Sequence, residues 1–121
     1  MPKVLVIDDS PMMSDYICRC LERSGFESER WLPLSAMDIP DKVAASSPAL
    51  VIADYQMPGC NGATVAKMVK RSNPEIPVMI LTAFRDEEVQ ANLLKFGVKR
   101  IIYKPIKCEE LVAAVKEFAH R

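Results

Sequence analysis

The chain has 121 residues, half of them hydrophobic and 26% charged, with 16 basic and 16 acidic side chains and a formal charge of zero. That length suits one domain with an adequate core, with no room for a second, and the composition is that of a globular protein. The balanced charge argues against non-specific attraction to nucleic acid or anionic membrane, and no apolar run reaches membrane-spanning length, so neither a transmembrane segment nor a signal peptide is read.

The segment KVLVID (3–8) predicts a strand: Val4 to Ile7 form a continuous apolar run that meets two adjacent carboxylates, Asp8 and Asp9. Met13, Ile17, Cys20 and Leu21 then recur at helical spacing, and Gly25 suits the end of that helix. FESERW (26–31) is a weaker strand candidate that alternates only loosely. Pro33, Pro40 and Pro48 punctuate the next stretch. It predicts an irregular loop and then a short helix from Pro40, a favourable first position, to about Ser46. ALVIAD (49–54) is a second continuous apolar strand ending in Asp54. Val65, Ala66 and Val69 mark a helix closed at Asn73–Pro74. PVMILT (77–82) is a strand ending in Thr82, followed by Ala83. Val89, Leu93 and Leu94 mark a helix beginning near Asp86 and ending at Gly97. RIIYK (100–104) is the last strand, ending in Lys104 before Pro105. Leu111, Val112, Val115, Phe118 and Ala119 mark the last helix, with Glu109 and Glu110 in a first turn where negative charge suits the helix dipole. Five strand–helix repeats predict an α/β fold: an open parallel sheet with helices on both faces and right-handed crossovers. Neither a linker nor an internal repeat interrupts them.

In such sheets, function gathers at the carboxyl ends of the strands, where strand order reverses. The predicted ends carry Asp8 and Asp9, Asp54, Thr82 and Lys104. Three carboxylates and one lysine leave about two units of excess negative charge. Repulsion between two carboxylates ~4–5 Å apart is about 3–4 kcal/mol at an effective dielectric near 20. A hard divalent cation offsets it, and Mg²⁺ suits a site of carboxylates, waters and phosphate oxygens; soft ligands are missing from the cluster. An ammonium and a hydroxyl complement a phosphoryl group, and a carboxylate is a competent nucleophile toward phosphorus. No glycine-rich phosphate loop supports a nucleotide site. Taken singly, each residue is more often a helix cap or a solvated side chain; the joint placement at four strand ends carries the reading. The cysteines are Cys18, Cys20, Cys60 and Cys108, and the spacing of Cys18 and Cys20 does not suit zinc, with His120 alone at the chain end. They read as small, buried or half-buried thiols in a reducing cytosol.

With DD at 8–9, DYQMPGCNG at 54–62, LTA at 81–83 and YKP at 103–105, in this order and spacing over the whole chain, the sequence resembles the receiver domain of two-component response regulators. The resemblance implies a flavodoxin-like (βα)5 sheet of strand order 2-1-3-4-5, a receiver domain over 1–121 and no output domain in the chain. It implies Asp54 as phospho-acceptor and a Mg²⁺ site of Asp8, Asp9, Asp54 and the backbone carbonyl of Gln56. Lys104, Thr82 and Ala83 are its phosphoryl-binding residues, and the Lys104–Pro105 bond is expected to be cis. MPG at 57–59 forms the turn beneath the acceptor, and Gly62 opens the next helix. The family often places an aromatic residue three positions before the lysine, where this chain has Ile101. The switch is therefore expected to run through Thr82 and an Ile101 rotamer, or a backbone shift of the 83–97 segment. Phe84, two residues past Thr82, is expected to shield the acyl phosphate from water.

The implied role is that of a cytoplasmic signalling switch, not an enzyme. It takes a phosphoryl group from a sensor histidine kinase or phosphotransfer protein, catalyses its own phosphorylation and dephosphorylation, and controls an output protein or domain. Direct binding to nucleic acid or membrane is not expected; the 83–119 face is where the family dimerises or docks partners, and the sequence does not fix the oligomeric state. Two other readings stand beside it. One is a phosphatase with Asp54 as nucleophile, though Gln56 occupies the position where such enzymes commonly have an acid/base Asp. The other is a receiver-like module that is never phosphorylated.

Overall fold

A computed structural model of the chain describes residues 2–119. Five parallel strands alternate with five helices: β1 (Lys3–Ile7), α1 (Pro11–Arg23), β2 (Glu27–Trp31), α2 (Ile39–Ser46), β3 (Leu50–Asp54), α3 (Gly62–Ser72), β4 (Val78–Thr82), α4 (Glu87–Lys95), β5 (Arg100–Tyr103) and α5 (Cys108–Phe118). The sheet order is β2-β1-β3-β4-β5. The α/β class, the flavodoxin-like topology and the strand order 2-1-3-4-5 thus agree with expectation. Parallel pairing sets Val4 beside Leu50 and Ile7 beside Ala53, and Asp54 beside Leu81. Strand order reverses at β1, so its carboxyl end and that of β3 form the switch-point crevice.

The central strands are apolar throughout because both faces are covered. Val4, Val6, Leu50 and Ile52 pack with Ile17, Leu21, Leu111 and Val115 of α1 and α5. Leu5, Ile7, Val51 and Ala53 pack on the other face with Val43, Val65, Val69 and Leu93 of α2, α3 and α4. Successive residues of one strand thus feed opposite cores, as the two-residue period requires. β2, at the sheet edge, is exposed to half-buried along its length, which explains its weak apolar signal.

Two segments differ from expectation. The loop before α2 contains a 3₁₀ turn, Ala36–Asp38, capped by the Ser35 hydroxyl, which accepts the Met37 N–H at 3.2 Å. α2 begins at Ile39 rather than Pro40, so the proline occupies the first turn, where its missing N–H costs nothing. The cysteine reading is corrected for two of the four residues: Cys20 on α1 and Cys108 at the start of α5 are joined in a disulfide, with Cα atoms 5.5 Å apart. The packing of α1 against α5 brings together residues separated by 88 in sequence, and nothing local in the sequence signals it. Cys18 and Cys60 are free thiols, buried and half-buried respectively. His120 lies outside the described residues.

Candidate functional site

The acidic cluster is assembled by the two strands at the switch point. β1 ends at Ile7, and the chain turns at once into α1, whose N-terminus is capped by the Ser10 hydroxyl accepting from Met13 N–H at 3.3 Å. Ser10 also donates its backbone N–H to Asp8 Oδ1 at 2.8 Å. That bond holds the Asp8 carboxylate at the end of β1, beside Asp54, the last residue of β3. One carboxylate oxygen each from Asp8, Asp9 and Asp54 lie within 4.8 Å of one another. Asp8 is 8% exposed and Asp54 7%, whereas Asp9 faces solvent.

The fifth strand supplies the counter-charge. Lys104 Nζ donates to Asp54 Oδ1 at 3.1 Å. The Lys104 backbone N–H is fixed by the Thr82 carbonyl at 2.9 Å, so the ends of β4 and β5 are held in register beside Asp54. The Lys104–Pro105 peptide is cis. Thr82 is 3% exposed, and its Oγ1 accepts the Phe84 N–H at 3.1 Å. Its own hydroxyl proton is free of that bond. Ala83 is exposed beside it, and Phe84 is half exposed at the rim.

The loop after Asp54 is braced from below. Tyr55 N–H donates to the Leu81 carbonyl at 2.8 Å, and Gly62 N–H returns to the Tyr55 carbonyl at 2.9 Å. Gly59 adopts φ +75, the left-handed region that favours glycine, within the turn closed by Cys60 N–H on the Met57 carbonyl at 3.2 Å. Gly62 has no space for a side chain: a Cβ there lies 2.9 Å from Ile80 Cδ1 and 3.1 Å from Tyr55 Cα. Gln56 is exposed, two residues past Asp54.

The cluster is electrostatically unfinished. Burial pushes the Asp8 carboxyl above the usual carboxylate range; the Ser10 N–H opposes that rise, while the Asp54 charge adds to it. Asp8 Oδ2 is buried and, among the described residues, has no hydrogen-bond partner. An orphaned buried carboxylate oxygen, two further carboxylates within 4.8 Å and an all-oxygen donor set fit a hard divalent cation such as Mg²⁺.

Two arrangements near the site are not visible in the sequence. Tyr103 lies on the same sheet face as half-buried Ile101; its hydroxyl donates to Gln90 Oε1 at 2.9 Å, and the Arg85 guanidinium stacks 4.3 Å from its ring centroid. This ties β5 to α4 and to the segment after Thr82. Tyr16 Oη on α1 donates to the Ile106 carbonyl at 2.8 Å, two residues past Lys104. Both depend on side chains distant in sequence meeting at an edge, and neither leaves a periodic signal.

Comparison with known proteins places the chain in a family. The family profile for the response regulator receiver domain matches residues 4–116. The phosphate regulon transcriptional regulatory protein PhoB of Klebsiella pneumoniae is 32% identical over 124 residues, covering 98% of this chain and 52% of that protein. The chain therefore spans about half the length of such curated relatives. Among solved structures, the signal receiver domain of the response regulator NarL from Mycobacterium tuberculosis superposes with a TM-score of 0.86 at 26% identity, covering 98% of this chain and 95% of that one. A response regulator from Chloroflexus aurantiacus matches with the same TM-score and identity over 100% of both chains.

Proposed function

The chain belongs to the receiver domain family of two-component response regulators, and from that premise we propose that it is a phosphoryl-accepting switch whose acceptor is Asp54. Receiver domains act as phospho-acceptor switches rather than as enzymes in their own right. The observation that carries the assignment is the pairing of Lys104 Nζ with Asp54 Oδ1 at 3.1 Å beside the Asp8–Asp9 carboxylates.

In this reading Asp54 attacks the phosphorus of a phosphohistidine on a sensor kinase or phosphotransfer protein, or of a small acyl phosphate. The new O–P bond forms as the bond to the donor breaks, giving an aspartyl phosphate. Asp8, Asp9, Asp54 and the Gln56 backbone carbonyl would hold Mg²⁺, which would supply positive charge to the phosphoryl oxygens. Lys104 transfers its hydrogen bond from the Asp54 carboxylate to a phosphoryl oxygen, and the exposed Ala83 backbone offers a second donor. Thr82 turns its hydroxyl proton to a third oxygen, loosening the bond that now holds the Phe84 N–H. The segment from Phe84 onward, tied to β5 through Arg85 and Tyr103, moves with it, and Ile101 repacks as that segment shifts. Phe84 at the rim limits the approach of hydrolytic water.

The output is a changed 83–119 surface, read by an output protein or domain, or by a second copy across that face. Its exposed charges include Lys95, Lys99, Arg100, Glu109 and Lys116 and are mixed in sign. Among the described residues no helix is long and apolar enough to cross a membrane, and we place the domain in the cytoplasm, where histidine kinases deliver phosphoryl groups. The test is an amide spectrum with Mg²⁺ and beryllofluoride, a phosphoryl mimic. Shifts at Asp54, Thr82, Ala83 and Lys104 that vanish in Asp54→Asn are expected. An unchanged wild-type spectrum contradicts the proposal.

A further inference from the structure

The Cys20–Cys108 bridge stands apart from the acidic cluster, but its place in the fold couples it to that cluster. Cys20 follows Tyr16 by one turn of α1, and residues four apart share a helix face. Tyr16 Oη holds the Ile106 carbonyl at 2.8 Å, and Cys108 opens α5 two residues later. Two ties thus fasten the 104–108 segment to α1, one a hydrogen bond and one covalent. α1 itself begins at Pro11, directly after Asp8, Asp9 and Ser10. The bridge therefore joins the helix that follows the acidic pair to the segment that carries Lys104.

The bridge lies at the surface through its partly exposed member, Cys108, while Cys20 is buried. Cys20 and Cys108 both line two adjoining surface grooves of about 440 and 290 Å³. Arg23 lines both grooves, Lys116 the first and Arg19 the second. Cationic side chains stabilise a thiolate and attract the carboxylates of a small anionic thiol. The acids at these grooves are Glu109 and Asp15, the latter paired with Arg19 at 3.4 Å and Arg30 at 2.7 Å. The aliphatic packing of Ile17, Leu21, Leu111 and Val115 already joins α1 and α5 to the sheet, so the core does not depend on the bridge. In a reducing compartment a disulfide is rare and, where present, usually redox-responsive.

We propose that Cys20 and Cys108 form a reversible redox site for a low-molecular-weight thiol of the glutathione class, whose state sets how firmly the Lys104 segment is held at the acidic cluster. The second half of this inference rests on the reading of Asp54 as phospho-acceptor. Cys108 is partly exposed and Cys20 only 3%, so the incoming thiolate attacks Cys108 Sγ. A mixed disulfide forms there, and the Cys20 thiolate leaves and takes up a proton. A second thiolate attacks the small-molecule sulfur of the mixed disulfide and releases the Cys108 thiolate, which is protonated in turn. The protein gains two electrons and two protons, and two small thiols become one small disulfide. Reduction leaves the Tyr16–Ile106 hydrogen bond and the apolar packing of Ile106 to hold that segment to α1.

The test equilibrates the folded full chain in mixtures of glutathione and glutathione disulfide, traps thiols with iodoacetamide and maps the peptides by mass. A linked Cys20–Cys108 peptide is expected at oxidising ratios, converting reversibly to two alkylated cysteines at reducing ratios while the protein stays folded. Absence of the linked peptide at every ratio, or a bridge that yields only on unfolding, overturns the redox site. The oxidised and reduced wild-type proteins are then labelled with acetyl phosphate and Mg²⁺, a comparison that needs no variant to fold. The oxidised form is expected to label about three- to tenfold faster, and a Cys20→Ser/Cys108→Ser double variant to ignore the redox ratio. Equal rates in the two wild-type forms overturn the coupling. Labelling of neither form overturns the acceptor reading instead. The amide signals of Lys104 and Ile106 then decide the coupling: they are expected to shift on reduction, and their staying fixed overturns it.

Discussion

Replacing Asp8 with asparagine should make the metal-free protein more stable and remove its response to Mg²⁺. The carboxylate of Asp8 lies within 4.8 Å of Asp9 and Asp54 oxygens, and at that distance like charges repel by about 3.5 kcal/mol per pair at an effective dielectric near 20. The Asp9 contribution is mostly screened because Asp9 faces solvent, and the Lys104 ammonium offsets part of the Asp54 contribution. The buried, unpartnered Oδ2 adds a desolvation cost of about 1–3 kcal/mol, part of which an amide retains. The net expectation is that Asp8→Asn gains about 1–2 kcal/mol without metal, raising the urea midpoint by roughly 1 M. Wild type should gain about 1.4 kcal/mol when Mg²⁺ reaches about ten times its dissociation constant, and the variant close to nothing. Equilibrium urea unfolding with and without millimolar Mg²⁺ measures both differences. A variant less stable than wild type without metal, or one that responds to Mg²⁺ as wild type does, refutes the reasoning.

Lys104→Gln should slow labelling by acetyl phosphate by about 100-fold, the scale of losing one preorganised charge donor, with near-wild-type rates as the contrary result. Gly62→Ala should cost about 1–3 kcal/mol in thermal unfolding, because its Cβ meets Ile80 Cδ1 at 2.9 Å and backbone at Tyr55; an unchanged midpoint contradicts the packing. Glu29 is held below the usual carboxylate range, first by the Lys42 ammonium and then, against the opposing cost of burial, by Ser46 and Lys3. A depressed folded value means stability that is present above the unfolded value and lost as pH falls through the folded one. After discounting for an exposed third of the side chain, Glu29→Gln should cost below about 1 kcal/mol at neutral pH and progressively less as pH falls below the usual carboxylate range, a convergence that parallel urea titrations would reveal. Ile101→Ala should alter the amide shifts that beryllofluoride induces across 83–97; identical shift patterns in wild type and variant remove Ile101 from the switch.

The sheet was legible because parallel strands buried on both faces must be continuously apolar, and Val4–Ile7, Leu50–Ala53 and Val78–Leu81 are. The carboxylates, hydroxyl and lysine were legible as a cluster because Asp8, Asp54 and Thr82 close such runs and Lys104 directly follows the last strand, so the topology alone brings them to one edge. Edge strand β2 left only a faint pattern, since solvent on its outer side removes the demand for apolar residues. The 3₁₀ turn at Ala36–Asp38 was unreadable because it rests on one Ser35 cap rather than a periodic face. The Cys20–Cys108 bridge, the Tyr16–Ile106 bond and the Arg85–Tyr103–Gln90 chain depend on how helices sit against one another, and spacing within one element does not encode that.

The most direct measurement is the intact mass of the protein after incubation with acetyl phosphate and Mg²⁺, in wild type and Asp54→Asn. A single added phosphoryl group, labile to base, lost with the asparagine and lost when Mg²⁺ is chelated, is the predicted result. A phosphoryl adduct that survives in Asp54→Asn, or a wild-type mass that never changes, contradicts the account.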